Sequence, residues 1–597
     1  MSEKVQTPAN RITAAPVKPV TLGRIDFASV FDFVHVFRSF RLAINPAKIV
    51  IALIAIAMIY AAGRLFDVAW GPQVSLGEIE FFQTERREVY ARLHAERRES
   101  RDAALQSLLM TSSWDNAATA EQLQTLKNSP RAAYRELTRR YTGDFHRDIQ
   151  AAAQRRADSE RSGSTAIGVD ARSPREIEQD ERAFAARKLQ GRIRTAKDAA
   201  GRGIFEAFLD YELKQFDLLV TNTLGLVRLA PGRTDDGSDG ASLSTSLVST
   251  AGDRLYRNDT ITGNIANIFI TGPLWLFTGT APLNDRAPDA GTAAVYGMRA
   301  LYLVSIGLFA VFSYVVLVLS GGIIARLTAL EFAGIERPLL KDIYSFVLKR
   351  AALFIRVPLT PVAIFLVVAV AIAALSLVGA VPVVGEVLLG IMFIVFIGIA
   401  FILMLLVLGM IGGYHLLVPA VAVESADAFD AMSRAFAYVY AKPWRLLLHT
   451  VVALIYGVIT LLFLSFAVFI LLKITHTFVG WGTSLFGYQY AWYAGVDKLS
   501  GMWPEPRFGR LTSLPNWAAM SWPEFIGAAA LHFWVFTLVS SLGAYVVSYF
   551  HSSSTIVYML LRRAADGQPV EEIYLDPEPA KAAAPVEAAP APANANG

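Results

Sequence analysis

The chain has 597 residues, of which 54% are hydrophobic and 18% charged, with a net charge of +4 and no cysteine. So apolar a composition lies outside the range of an ordinary soluble domain, and the small net charge gives no general attraction to nucleic acid. The absence of cysteine excludes disulfides, thiolate metal sites, iron–sulfur clusters and cysteine nucleophiles.

The first 40 residues lack the apolar stretch of a signal peptide, so no cleaved leader is expected. Residues 1–24 read as a disordered cytoplasmic N-terminus. Within 25–48, Phe27, Phe31, Val34 and Phe37 share one helical face, with Arg38 and Arg41 near its end. That pattern suits an amphipathic helix lying on the inner leaflet. The alternative is a helix packed on the protein's own connectors. A first membrane helix follows at 49–70; it contains Arg64 and Asp67.

Residues 76–295 form the one large polar region. Glu85–Arg101 is rich in Glu and Arg and free of Gly and Pro, which predicts an exposed helix. Ser162–Ser173 and Pro231–Ser244 read as loops. Phe205, Leu209, Leu213, Phe216, Val220, Leu224 and Val227 recur at helical spacing, so this insertion is expected to be mainly helical. Ile265–Phe277, with Gly272-Pro273 and Trp275, is too short to span. It reads as an interfacial or re-entrant piece, or else as core.

Five more apolar runs follow, at 300–325, 360–379, 387–415, 446–472 and 525–561. A bilayer core of ~30 Å needs roughly 20 helical residues. Residues 387–416 contain no charged side chain at all. The turn 380–385 is so short that the third and fourth spans must form an antiparallel hairpin. The last run would be ~55 Å long at 1.5 Å per residue, so it must tilt, bend or run on beyond the membrane. Between the fifth and sixth spans, 474–523 holds Trp481, Trp492, Trp503, Trp517 and Trp522, half of the chain's tryptophans. Trp favours the membrane–water boundary, so this is expected to be a loop packed on the outer surface. A lipid or glycan site made of these rings is the alternative. Residues 563–597 read as a disordered, Ala- and Pro-rich cytoplasmic tail, of which 577–597 in particular lacks the apolar bulk to order itself.

Lys and Arg concentrate in residues 1–48, in the connectors after the second and fourth spans, and at Arg562-Arg563. Short basic flanks stay in the cytoplasm. Both termini are therefore expected inside and 76–295 outside, at a bacterial inner membrane. The expected fold is an all-α integral membrane protein with six transmembrane helices, amphipathic cytoplasmic connector helices and a helical extracytoplasmic insertion. The bundle occupies 300–562.

Two stretches read alike. Gly321-Gly322 is followed by an amphipathic helix carrying Leu340, Ile343 and Val347 and then by the third span. Gly412-Gly413 is followed by one carrying Phe429, Met432, Phe436 and Val439 and then by the fifth. Both units run the same way, as a parallel repeat would.

The run Leu417–Tyr440, with its acidic Ala-Asp-Ala-Phe-Asp-Ala-Met-Ser-Arg-Ala-Phe helix and Pro443-Trp444, resembles uncharacterised bacterial multi-pass membrane proteins. It is also similar to the membrane domain fused to some glycerophosphodiester phosphodiesterases. The resemblance covers about 300–575 and implies a polytopic fold. No counterpart of the phosphodiesterase catalytic domain is visible, so no activity carries over.

No Walker, HExxH, EF-hand or GxSxG pattern occurs. No cofactor or metal is expected. What remains are polar groups in the spans, where burial in lipid is costly. Arg64 and Asp67, one turn apart, are either a structural pair or a proton or ion relay. His449 lies one turn into the fifth span. His532, Ser541 and His551 lie on the sixth, the most polar span, whose serines either pack helices or line a path. The expected function is non-enzymatic: a scaffold or permease-like subunit in the bilayer, with protein partners or further copies of the chain. A transporter or channel along the sixth span is the alternative, and a lipid-active enzyme the weaker one.

Overall fold

The computed structural model describes residues 32–575 except 72–73, 76, 85–86, 112–125, 127–128, 162–173, 228–262, 265–266, 280–291, 336–338, 383, 485–497, 509–510, 513–514, 516 and 518–519. The expected disordered ends 1–24 and 577–597, both expected loops of the insertion, Phe27, Phe31 and Trp492 lie outside the described residues. The disorder expected from 563 onward is corrected for 563–575: the helix of the sixth span runs on to Asp566, and Tyr574 N then donates to Val423 O at 3.0 Å, because the backbone after Gly567 finds partners on the protein itself. Every regular element among the described residues is helical.

The chain enters as a 3-10 turn, Asp32–Phe37, and α1, Arg38–Ala43. It does not run on as one helix. Asn45 leaves the helical region, its side chain accepts from Ala47 N at 3.0 Å, and Pro46 starts α2 (Pro46–Trp70). Asn at the cap and Pro in the first turn both favour a helix start. Val36 is buried against Ala453, Ile556 and Leu560, and Ala43 against Tyr545 and Tyr549. Asp32 meets Arg563 at 2.9 Å and Arg445 at 3.5 Å. This segment thus packs on the chain's own fifth and sixth spans.

The insertion contributes α3 (Glu78–Thr84), α4 (Arg87–Thr111), α5 (Pro130–Arg161), α6 (Pro174–Ala200) and α7 (Ile204–Val227). The ion pairs Arg155–Glu181, Asp148–Lys188 and Asp144–Arg192 descend one helix as they climb the other, so α5 and α6 are antiparallel. Such exposed pairs contribute little. The apolar seam holds the bundle: Leu137, Tyr141 and Phe145 of α5 meet Ala185, Leu189 and Ala196 of α6 and Leu105 and Leu109 of α4. Residues Asn267–Thr271 and Trp275–Gly279 form π-turns around Gly272–Leu274. Trp275 is fully buried with Phe66, Ile204 and Tyr302, whereas Leu274 and Phe277 are exposed. The segment is core on one side and bare on the other.

The remaining elements are α8 (Thr292–Phe332), α9 (Leu340–Lys349), α10 (Ala351–Ser376), α11 (Val384–Gly413), α12 (Leu417–Glu424), α13 (Ala428–Ala441), α14 (Pro443–Ser484), α15 (Lys498–Met502) and α16 (Trp522–Asp566). Six helices are long and apolar enough to cross a membrane: 46–70, 299–332, 351–380, 384–424, 443–483 and 522–566. The helices overrun the apolar runs because caps, not hydrophobicity, end them. A Ser521–Glu524 capping box opens α16, and Gly567, at φ 72°, closes it.

The overlong sixth helix ends inside protein. Val557, Tyr558, Met559 and Leu561 are buried among Ile343 and Val347 of α9, Ala431 and Ala435 of α13, and α12. Helix α12 is the hub of this layer. Its residues from Pro419 to Val423 are all buried, although it is too short to span. The α10–α11 hairpin behaves differently: none of the most apolar window of α10 is buried in the protein, and little of α11's.

Both glycine pairs are points of close approach, but to different neighbours: Gly321 faces His551 of α16, whereas Gly413 faces Phe436 of α13. Gly322 seats Phe354 from the start of α10, and Gly412 seats Val439 of α13 and Leu446 from the start of α14. A Cβ would lie 2.9 Å from Phe354 at Gly322 and 2.9 Å from Val439 at Gly412. The units then diverge. Helix α8 runs straight through its glycines, whereas α11 stops at Gly413 and breaks into the 3-10 turn Tyr414–Leu416.

Candidate functional site

Arg64 and Asp67 sit at a joint between α2 and α7. The Asp67 carboxylate accepts from Phe205 N at 2.7 Å and Glu206 N at 3.0 Å. It therefore caps the α7 N-terminus from another helix, where the free N–H groups and the dipole favour an anion. Arg64 lies 3.8 Å from Asp67 and 3.4 Å from Glu206. Arg131 donates to the carbonyls of Asp67 and Val68 at the end of α2. Gly63 leaves room for the Phe205 ring, which a Cβ would approach to 2.4 Å. This geometry is that of a structural joint. Asp67→Ala is expected to weaken it by about 1–2 kcal/mol, the scale of a lost N-cap. Hydrogen exchange should rise at residues 204–207; unchanged protection there would reject the capping role.

The other predicted positions are not brought together. His449 is buried, with Nδ1 lacking a hydrogen-bond partner, near Asp32 and Arg445. His532 Nδ1 stands 2.8 Å from Ala528 O, and its ring packs on Trp517. Ser541 Oγ donates to Leu538 O at 2.6 Å. His551 lies against Gly321, where a Cβ would come within 2.3 Å of its ring. At ~100° per residue, His532 and Ser541 face opposite sides of α16, so these groups form no single stripe. The other hydroxyls of α16 tie helices together. Ser548 donates to Ala43 O at 2.7 Å, Tyr549 to Ala453 O at 2.7 Å, Tyr545 meets Thr460 at 2.7 Å, and Ser552 meets Thr328 at 3.0 Å.

One serine–histidine approach exists among the described hydrogen bonds. Ser500 Oγ lies 3.4 Å from His476 Nε2. The same nitrogen faces Trp503 O at 3.1 Å. A carbonyl accepts only, so it calls for a proton on Nε2 and opposes a base role there. No three His, Asp or Glu side chains converge on a metal-binding position among the described residues.

Sequence reasoning treated Lys48 and Arg326 as flanking charges, yet both are buried. Lys48 Nζ lies 2.7 Å from Glu331 Oε2, and Asn45 Nδ2 donates to Glu331 Oε1 at 2.5 Å. Arg326 donates to Ala422 O at 2.7 Å and Tyr574 O at 2.6 Å and stacks on Phe346. Glu424, at the end of α12, accepts from Tyr558 at 2.7 Å and pairs with Arg434 at 2.5 Å. The signal was present as opposite charges at the ends of neighbouring spans, but the pairing needed the fold. Comparison with protein-family models, curated proteins and solved structures finds no match to this chain.

Proposed function

We propose that the chain is a non-enzymatic scaffold or permease-like subunit of a bacterial inner membrane, working with protein partners. Both termini and the α9, α12 and α13 connectors face the cytoplasm, and 76–295 lies outside. The observation that carries this reading is the use of the α16 hydroxyls. They bond to α8, α14 and the carbonyl of Ala43, which is how polar side chains hold membrane helices together. A conducting path needs such groups free to face water. The family resemblance over 300–575 is consistent with a polytopic fold without its own catalytic domain.

Flux measurement separates this reading from the transporter. Liposomes containing the purified chain are expected to be as tight to protons and small ions as empty ones. Gradient-driven flux by the wild-type chain would overturn the scaffold. Orientation is tested separately, since the chain has no native cysteine. Arg161→Cys, on exposed α5, should react with an impermeant maleimide in intact cells. Lys341→Cys on α9 should react only after permeabilisation. The opposite pattern would reverse the topology.

A further inference from the structure

Glu212 and Gln215 stand one turn apart on α7 and face the π-turn segment 267–279. Gln215 is fully buried. Its Oε1 accepts from Asn264 Nδ2 at 3.1 Å and from Asn267 Nδ2 at 3.2 Å, and Thr271 donates to Asn267 Oδ1 at 3.1 Å. The Gln215 amide nitrogen and the Glu212 Oε1 are buried without a hydrogen-bond partner. Glu212 is wedged against backbone: a Cβ on Gly272 would lie 1.8 Å from that oxygen. Glu212 as a whole is half-buried, and ionising it would place charge on an oxygen that is buried and without a partner, which is costly.

We propose that Glu212 is a proton-binding residue whose neutral form keeps segment 267–279 seated on α7, and that opening the segment releases the proton. Among the described residues, the surrounding groups offer no counter-charge. On α7 itself, Tyr211 is the neighbour, Lys214 pairs with Glu80 of α3 at 2.8 Å, and Asp210 pairs with Arg202 at 2.6 Å. From α2, Arg64 and Asp67 are engaged at the other end of α7 with Glu206. Tyr302 of α8 joins the apolar cluster around Trp275. Residues 267–279 carry no ionisable side chain. Burial alone pushes the Glu212 carboxyl up to about 8. When the segment opens, the carboxyl returns to the ordinary range near ~4.3. The closed state therefore holds a proton that the open state loses. The stabilisation is complete at low pH and is lost as pH rises from the ordinary value to about 8.

The test is hydrogen exchange on the full chain in detergent micelles at pH 5.5, 6.5 and 7.5, corrected for intrinsic exchange. In the wild type, protection of 267–279 should fall by up to about tenfold per pH unit. Glu212→Gln, and Glu212→Leu as a second variant without a proton, should show no such slope, while Glu80→Gln keeps it. Equal slopes in wild type and both Glu212 variants would overturn the assignment. A slope abolished by Glu80→Gln instead would move the proton to Glu80 and overturn it equally.

Discussion

Replacing Glu331 with alanine is expected to destabilise the chain by about 3–5 kcal/mol, the cost of leaving one partner of a buried ion pair alone. Lys48 is fully buried at the start of α2, and its ammonium sits 2.7 Å from Glu331 at the end of α8. Asn45, which caps α2, donates to the other oxygen. A single carboxylate thus joins the first helix cap, a buried cation and the second span. Removing it orphans the fully buried Lys48 ammonium and takes a partner from the half-buried Asn45 amide. Replacing both partners by apolar residues of similar volume, Lys48→Met with Glu331→Leu, should recover most of the loss, because no charge is then left buried. Denaturant unfolding in mild detergent reads both. A single variant within about 0.5 kcal/mol of wild type, or a double variant as weak as the single, would show that the pair is not a buried strut.

The second large effect is expected at Arg326. The last carbonyls of α12 have no partner within their own helix. Arg326 satisfies Ala422 O at 2.7 Å, and Tyr574 N satisfies Val423 O at 3.0 Å. Arg326 also donates to Tyr574 O at 2.6 Å, so one guanidinium ties the helix end to the C-terminal strap 567–575. Arg350 stacks on the same Phe346 ring and on Tyr574. Two charge-assisted hydrogen bonds at about 1.5–3 kcal/mol each put the loss in Arg326→Ala at about 3 kcal/mol or more. Arg326→Lys should retain little of it, because one ammonium lacks the planar fork that reaches both carbonyls. Exchange in residues 570–575 should rise in both variants. Wild-type stability in Arg326→Lys would sink the two-carbonyl bridge.

Much of the fold was legible in the residue pattern. Six apolar runs became six candidate membrane helices, and the short turn before Gly385 joined α10 to α11. The helical spacing over 205–227 became α7, but Leu213 and Phe216 of its expected apolar face are exposed while Tyr211 and Gln215 are buried. The repeated glycine pairs proved to be points of close approach. The continuous helix expected over 25–48 was wrong in its described part, because Asn45 and Pro46 end one element and begin another. Arg64 and Asp67 were recognised as neighbours, but not their service to α7, since that partner lies far along the chain. Glu212 gave no signal at all: a glutamate on an amphipathic helix reads as a solvated one.

The order of residues by itself determined which segments are oily enough to leave water and which faces of each helix are apolar. Those properties follow from local composition and the 3.6-residue period. The tertiary structure alone decided which oily face meets another helix and which stays bare. It also decided which charge at a span's end becomes a buried strut. A polar atom left away from water without a partner is costly, and where this chain supplies the partner it often stands far away in sequence, as Glu331 does for Lys48 and Ala43 for Ser548.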